Sequence, residues 1–421
     1  MANTILTPTA ITREALRVLH QKLNFVGNVR RDYDDRFAQS GAKIGTSLNI
    51  RMPSKYTVRT GATLTAQDHV ERSTPLTVSS QYGVDVSFTS VELTMSLDNF
   101  SERIIEPAIA QLAAKIESDC LDAAYKLTPG YVNATTNSKM TYAYFQAAGA
   151  KLARELSPLS NRTALLNPAS KVEFLDAVKG LFHASDNIAQ QYREGRMGRT
   201  GGFDVYENTL LPSHTTGTLA GSAVVTGEAN TTTTANSWVS QTTISVTGAN
   251  SATTLKAGDL ITLSNHYAAH PESKASTGRL RTFVVQSNVT LTTAASAYAV
   301  TVKPGIMTGS GNGYQNVVLS GATVASGAAV SLVGAVNTAF AQDLFFNEDA
   351  FVFATADLED VSRYGAWGAR QSMDGISMRI ARQYAIGSDT IPCRIDVLAG
   401  FAGLYPELSV VHRTTDSLLT V

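Results

Sequence analysis

Two histidines four residues apart, His266 and His270, are the first residues whose spacing bears on chemistry. On a helix that spacing sets both imidazoles on one face as a metal pair, and Asp259 and Glu272 stand nearby in the chain. Pro271 and the flanking β pattern argue against a helix, and the glutamate of a metalloprotease motif is missing, so both read as loop histidines. Gly309-Ser-Gly-Asn-Gly313 resembles a dinucleotide loop only superficially. It lacks the second spacing and a following helix, which predicts a turn between strands. Arg193, Arg196 and Arg199 lie among four glycines in Ser185–Gly202. No Lys-Ser/Thr pair or helix onset follows, so this segment predicts an exposed loop and not a phosphate cradle. Asp34 with Asp35, and Glu359 with Asp360, are carboxylate pairs without any geometry to support acid–base work. No GxSxG, HExxH or GxxxxGK[ST] pattern occurs. The sequence supplies no catalytic residue, no cofactor-binding residue and no metal ligand set.

Composition narrows the classes further. Cys120 and Cys393 are the two cysteines, too few and too far apart for a zinc site or a disulfide framework, and they read as buried free thiols. Hydrophobic residues make up 43% of the 421, which excludes a long disordered chain. Charged residues make up only 16%, and the net charge of -1 speaks against a nucleic-acid reader, which carries a basic domain. Low charge on a large surface favours association with other copies. Met1–Pro8 has no signal-peptide pattern, and the longest apolar run, near Val397–Tyr405, is too short to span a bilayer, so a soluble protein made in the cytosol is expected.

The elements that would position these residues follow from periodicity. Ile11, Ala15, Val18, Leu19 and Leu23 recur at helical spacing between Pro8 and Gly27. Leu48, Ile50 and Met52 alternate with polar residues up to Pro53, Tyr56–Val58 reads as extended, and Leu76, Val78, Val84, Val86 and Phe88 continue the alternation. Together 45–90 predicts a long β-hairpin excursion whose tip, Thr60–Arg72, has almost no apolar residues of its own. Ile105, Ile109, Leu112, Ile116, Cys120 and Leu127 stripe a helix from about Asn99 or Ser101 to Leu127, about 40 Å long at 1.5 Å per residue. A second helix is expected at Tyr142–Leu156, a strand at Thr163–Asn167, and a third helix opened by Pro168.

Composition then shifts. From His214 to Leu255 the single charged residue is Glu228, and Thr, Ser, Ala, Gly and Asn dominate. Short β-type runs at Ser222–Thr226, Thr243–Val246, Asp259–Leu263, Thr282–Gln286, Val289–Leu291 and Ala299–Val302 are separated by turn residues, the pattern of a small all-β barrel or sandwich. Core-like sequence resumes at Phe340–Ala354, so this β segment reads as an insertion. Strands at Ile376–Ala385 and Cys393–Ala399, then Tyr405–Val411, close the chain.

This order of elements resembles the major capsid proteins of tailed phages with the HK97 fold, and more narrowly the P22-type coat proteins, which carry an inserted domain. The stretches that carry the resemblance are Ser40–Gly45 into Lys55–Arg59, Gln81–Asp85 into Phe100–Arg103, and Gln191–Gly195 with Gly202–Asp204 and Leu211-Pro212. Others are Ala257–Leu263 with Ser276–Leu280 and Phe283–Val285, and Cys393–Ile395 with Gly400 and Pro406-Glu407.

The resemblance implies an α+β, HK97-like capsid fold: a peripheral domain with a spine helix, an extended β-hairpin arm, an axial domain and an inserted small all-β barrel. It implies residues 1–44 as an N-terminal helical arm and 45–90 as the extended arm over a neighbour. Residues 91–214 would be the peripheral domain, with spine helix 99–127, and the start of the axial domain. Residues 215–334 would be the inserted β-domain, and 335–421 the axial domain and terminal sheet. The implied function is structural: hexamers and pentamers of this chain forming an icosahedral shell around double-stranded DNA, with a scaffolding protein and a portal as partners, no membrane, and assembly in the host cytoplasm. Two other classes are weighed beside it. A carbohydrate-binding or adhesion module needs aromatic platforms, and the Ser/Thr/Gly-rich segment offers Trp238 and a few tyrosines. An enzyme lacks any motif. A non-viral nanocompartment of the same fold is a variant of the first reading.

Overall fold

The computed structural model describes residues 12, 15–17, 19, 23–31, 47–64, 66–67, 69–89, 106–136, 138–178, 198–220, 223–229, 237–247, 253–292, 296–309, 311–320, 327–359, 361–365, 367–373 and 376–415. Contacts divide the chain into two compact units, 1–50 with 74–121 and 351–404, and 51–73 with 122–350 and 405–421.

The first unit is built on the 14-residue strand Thr390–Gly403. Ser80–Thr89 pairs with it along 390–399, Phe351–Ala356 along 398–403 and Ile376–Arg382 along 393–396, all antiparallel. Trp367–Met373 completes the sheet beside Ile376–Arg382. Helix α1, Glu106–Leu127, keeps the predicted stripe inside: Ile109, Leu112, Ile116 and Cys120 are buried. Its expected start at 99–105 lies outside the described residues. Residues 15–17 are helical, as the N-terminal periodicity predicts, and Ala15, Leu16 and Leu19 are buried. The chain after them is stitched down at two places. The Phe25 N–H donates to Glu117 Oε1 of α1 (3.0 Å), and Arg30 exchanges backbone bonds with Phe351 and Phe353. Phe25, Phe351 and Phe401 close over this point with ring centroids 5.6–6.0 Å apart.

A polar row crosses this sheet. Asp396 is fully buried, opposite Arg379 on one neighbouring strand and Gly83 on the other. Arg379 Nη2 donates to Asp396 Oδ2 (2.7 Å) and Arg394 Nη2 to Oδ1 (2.9 Å). A Cβ on Gly83 would sit 2.7 Å from Oδ1, so only glycine leaves room for the carboxylate.

The second unit holds a sheet in the order Gly130–Tyr131, Ser409–Thr414, Ala339–Asn347, Arg162–Leu166, Phe203–Glu207, Arg199–Thr200. Helices α2, Tyr142–Arg154, and α3, Pro168–Val178, share its core: Phe145, Phe174, Phe203 and Phe345 lie with centroids 4.7–5.4 Å apart. Thr141 caps α2, its side chain accepting the Tyr144 N–H, and Asn167 caps α3 by accepting the Ser170 N–H, with Pro168 opening the first turn as expected. The sequence groups Val172 with Phe174, Leu175 and Val178 as the apolar residues of α3, but Val172 is 58% exposed. Gly201 and Gly202, both at positive φ, form the two-residue loop that joins Arg199–Thr200 to Phe203–Glu207.

Between these core strands runs a β-rich segment with a hydrophobic cluster drawn only from Leu219 to Val330. Its ladder runs Val224–Ala229, Thr242–Thr247, Ala297–Lys303, Ser276–Val285, Leu260–Ala269, Val330–Leu332. The ends meet, because Val225 exchanges backbone bonds with Gly327 and Ala328, and the Val330 N–H donates to the Ala223 carbonyl. Apart from Val289–Leu291, the short predicted runs fall in longer strands, since alternation alone does not reveal polar residues that complete a ladder. The extended piece expected at Tyr56–Val58 joins no strand, and Val58 is 97% exposed.

The buried carboxylate row has a consequence in acid. Burial pushes the Asp396 carboxyl up, but the hydrogen bonds from Arg394 and Arg379 outweigh it and hold it below its ordinary value. Its stabilisation is complete above the unfolded carboxyl value of roughly 3.9 and is lost as pH falls through the lower folded value. Denaturant unfolding should show Asp396→Asn less stable at neutrality by about 1–3 kcal/mol, with a flatter decline into acid than the parent chain. An equal decline would assign the acid sensitivity elsewhere.

Candidate functional site

The chemistry-bearing residues singled out in the sequence do not converge. His266 is not in a loop: it sits in the strand Leu260–Ala269, fully buried, with Nε2 2.9 Å from Glu228 Oε1 and Nδ1 2.9 Å from the Ser264 carbonyl. A carbonyl only accepts, so Nδ1 carries a proton, and a second proton lies between Nε2 and the carboxylate. The single charge of a 42-residue polar stretch, Glu228 between His214 and Leu255, is thus the partner of the single buried histidine of the segment's strands. His270 lies in the following turn, where its Nδ1 accepts the N–H groups of Glu272 and Ser273. Asp259 belongs to a third set. Among the described residues no group of three or more His, Cys, Asp or Glu gathers as a metal site. Asp34, Asp35, Asp360 and most of Ser185–Gly202 lie outside the described residues. Burial pushes the Cys120 thiol up, with Glu117 and Asp119 adding to it, which disfavours the reactive thiolate.

One gathering has the residue types of a hydrolase triad. Ser170, Asp343 and His412 meet in the second unit, but the serine hydroxyl donates to Asp343 Oδ2 (2.7 Å), and His412 Nδ1 reaches the same oxygen (2.9 Å). All three are buried, and the serine has no base, so the set ties α3 to the sheet and activates nothing.

A second gathering fastens the β-rich segment to the core. Asp259 is fully buried and accepts from His214 Nε2 (2.7 Å), the Gly217 N–H (3.1 Å) and the Lys256 N–H (2.7 Å). The inbound and outbound connections lie side by side: Thr216 N–H donates to the Thr338 carbonyl, and Asn337 N–H to the Gly217 carbonyl. Arg413, also fully buried, donates through Nη2 to the Gly258 carbonyl (2.7 Å). Burial lowers Arg413 to about 10, against the pull of Asp259.

The third gathering is the root of the arm. Ser47–Met52 pairs with Arg72–Thr77, but beyond Met52 the two legs are joined by side chains in place of a ladder. The Gln67 amide accepts the Thr57 N–H (3.0 Å) and donates to the Thr57 carbonyl (2.6 Å), supplying the donor–acceptor pair of a missing strand residue. Tyr56 OH meets His69 Nδ1 at 2.7 Å with the rings stacked. Tyr314, in the glycine-rich loop, receives the Lys55 N–H (3.2 Å) and donates to the Val70 carbonyl (2.7 Å), so one phenol holds both legs. The Arg72 guanidinium lies over the rings of Tyr314 and Tyr405 at 5.6 and 5.3 Å. A Cβ on Gly313 would lie 2.6 Å from the Lys55 carbonyl, which explains a glycine in a loop that binds no nucleotide. Beyond this clasp Leu64 is 82% exposed. The tip that the sequence reads as lacking a core of its own, Thr60–Arg72, is therefore held within the subunit at Gln67, His69, Val70 and Arg72. Tyr314 carries no sequence signal, because contacts between positions 244–259 apart follow only from the fold.

A family model described as P22 coat protein, gene protein 5, matches residues 11–412. Similar solved structures include that of Mycobacterium phage Che8, 10% identical, TM-score 0.47, covering 93% of this chain and 90% of that one. The mature capsid of bacteriophage PhiM1 is 10% identical, TM-score 0.42, covering 89% and 83%. The CUS-3 coat protein I-domain is 25% identical, TM-score 0.20, covering 27% of this chain and 96% of that one. No curated protein sequence matches.

The clasp predicts a local phenotype. Gly313→Ala should displace Lys55 and open the arm root, raising tryptic cleavage at Lys55 and Arg59 several-fold while the thermal midpoint of the chain moves by no more than about 2 °C. Unchanged cleavage would mean that the arm root does not depend on this approach.

Proposed function

The chain belongs to the P22 coat protein family, and on that premise we propose how its parts serve a shell. It is a major capsid protein, a structural and non-enzymatic subunit whose copies assemble into the shell of a virion. In our reading the shell is icosahedral, built of hexamers and pentamers, closed with the help of a scaffolding protein and a portal in the host cytoplasm, and filled with double-stranded DNA. The family match over residues 11–412 carries this reading. The net charge of -1 supports it, since each lysine or arginine on a phosphate adds salt-dependent grip that a container does not need. Among the described residues no helix is long and apolar enough to cross a membrane. Trp238 is half-buried, which disfavours the adhesion reading with its need for an open sugar platform.

We assign 45–90 to the arm that reaches over a neighbouring subunit. Its root is preset by Tyr314, Gln67 and Arg72, so the exposed tip leaves the subunit in a fixed direction and loses less freedom on docking. We assign 215–334 to an inserted barrel domain with a folding core of its own, supported by the self-contained cluster Leu219–Val330 and the adjacent connections at Thr216 and Thr338. The assignment of 1–44, 91–214 and 335–421 to the N-terminal arm, the peripheral domain and the axial domain follows the family resemblance.

Two experiments test these assignments. Residues 60–66 replaced by two glycines should leave a folded chain with a thermal midpoint within about 2 °C of the parent. Co-expressed with its scaffolding protein, that variant should sediment as subunits or malformed particles where the parent gives shells; shells of normal size would remove the arm from intersubunit contact. A fragment of 215–334 should unfold in one cooperative transition. In it His266→Leu strands the buried Glu228 and costs about 3–5 kcal/mol, whereas Glu228→Gln keeps a donor for Nε2 and costs far less. A fragment without cooperative unfolding contradicts the separate domain.

A further inference from the structure

The last turn of α2 and the strand Ser276–Val285 line a cleft of about 440 Å³ in which cations outnumber carboxylates. Lys151 and Arg154 face it from the helix, and Arg279 and Arg281 from the strand, against the carboxylates of Glu155 and Glu407. Glu155 is already taken by Arg281 Nη1 at 2.7 Å. The Arg281 side chain is only 7% exposed, and its Nε has no hydrogen-bond partner among the described residues. Lys151 has a carbonyl, that of Tyr131 at 2.6 Å, and the Tyr131 ring 4.4 Å below it, but no carboxylate. Burial, then the repulsion of Arg281, lowers Lys151 to about 8. Arg154 and Arg279 are exposed and make no hydrogen bond or ion pair with the described residues. A protein of net charge -1 thus concentrates four cations and two acids around one small space. Like charges gathered near a low-dielectric wall repel strongly unless an anion joins them.

We propose that this cleft is a phosphate-binding site, with Arg154 and Arg279 as donors and Lys151 and Arg281 as the charge behind them. The donor set decides the ligand class. Guanidinium forks and an ammonium offer only donors, and a phosphate presents more acceptor oxygens to them than a carboxylate does. A volume of about 440 Å³ admits a phosphate with a sugar attached but not a duplex. The phosphate is therefore free anion or part of a single strand. The site lies within one subunit, so it stands or falls independently of shell assembly.

The test uses the full chain at constant ionic strength set with chloride. Thermal unfolding is followed with inorganic phosphate and, separately, with a short single-stranded oligothymidylate. Ligand that binds only the folded chain should raise the midpoint by about 2–4 °C. The double variant Arg154→Gln with Arg279→Gln, both exposed and unbonded, should keep its ligand-free midpoint and lose most of that rise. A rise with inorganic phosphate identifies the free anion as sufficient; a rise with the oligonucleotide alone identifies nucleic-acid phosphate. No rise with either probe, or the same rise in the double variant, overturns the site.

Discussion

A buried carboxylate that must find donors sets the plan of the second unit. Asp259 is fully buried at the place where the β-rich segment leaves and rejoins the core sheet. An ionised carboxylate removed from water is tolerated only when its lone pairs are occupied. The donors it uses, His214 and the N–H groups of Gly217 and Lys256, come from the inbound connection and from the turn ahead of its own strand. Satisfying one side chain therefore fixes where the segment starts, how it turns and where it returns beside Thr338. Arg413, reaching from the terminal strand to the Gly258 carbonyl, adds a second buried polar link at the same point.

The arm obeys the opposite constraint. Its tip, Thr60–Arg72, has almost no apolar residues to bury, so it cannot be ordered by the hydrophobic effect. Its root is instead ordered by a few directional contacts, each modest: an amide acting as a strand residue, a phenol bridging both legs, a guanidinium between two aromatic rings. Such contacts contribute about 0.5–1.5 kcal/mol apiece. That is enough to aim a tip, and too little to hold it against a competing surface.

The ionisable groups that resemble catalytic equipment are buried and bonded to one another. His266 is consumed by Glu228 and Ser264, His412 and Ser170 by Asp343, and Asp396 by Arg379 and Arg394. Each holds its protons in place and exposes none of them to a substrate. This is the pattern of a structural subunit, and it agrees with membership of a coat protein family.

The sequence by itself determined the helices, because a 3.6-residue stripe and a helix-opening proline are local signals: α2 and α3 begin at Tyr142 and Pro168, as expected. It also determined that the segment after Pro212 is β-rich, since alternation and turn residues are local too, and the order of elements carried the family. The tertiary structure alone decided which residues meet. Polar pairs such as Glu228 with His266, or Asp343 with His412, have no periodicity and reveal themselves only when strands come into register. Gly83 and Gly313 look like ordinary turn or strand glycines until a carboxylate or a carbonyl is found 2.6–2.7 Å from where their Cβ would be. Local patterns fix local geometry, whereas the partner of a buried charge is chosen by the whole fold.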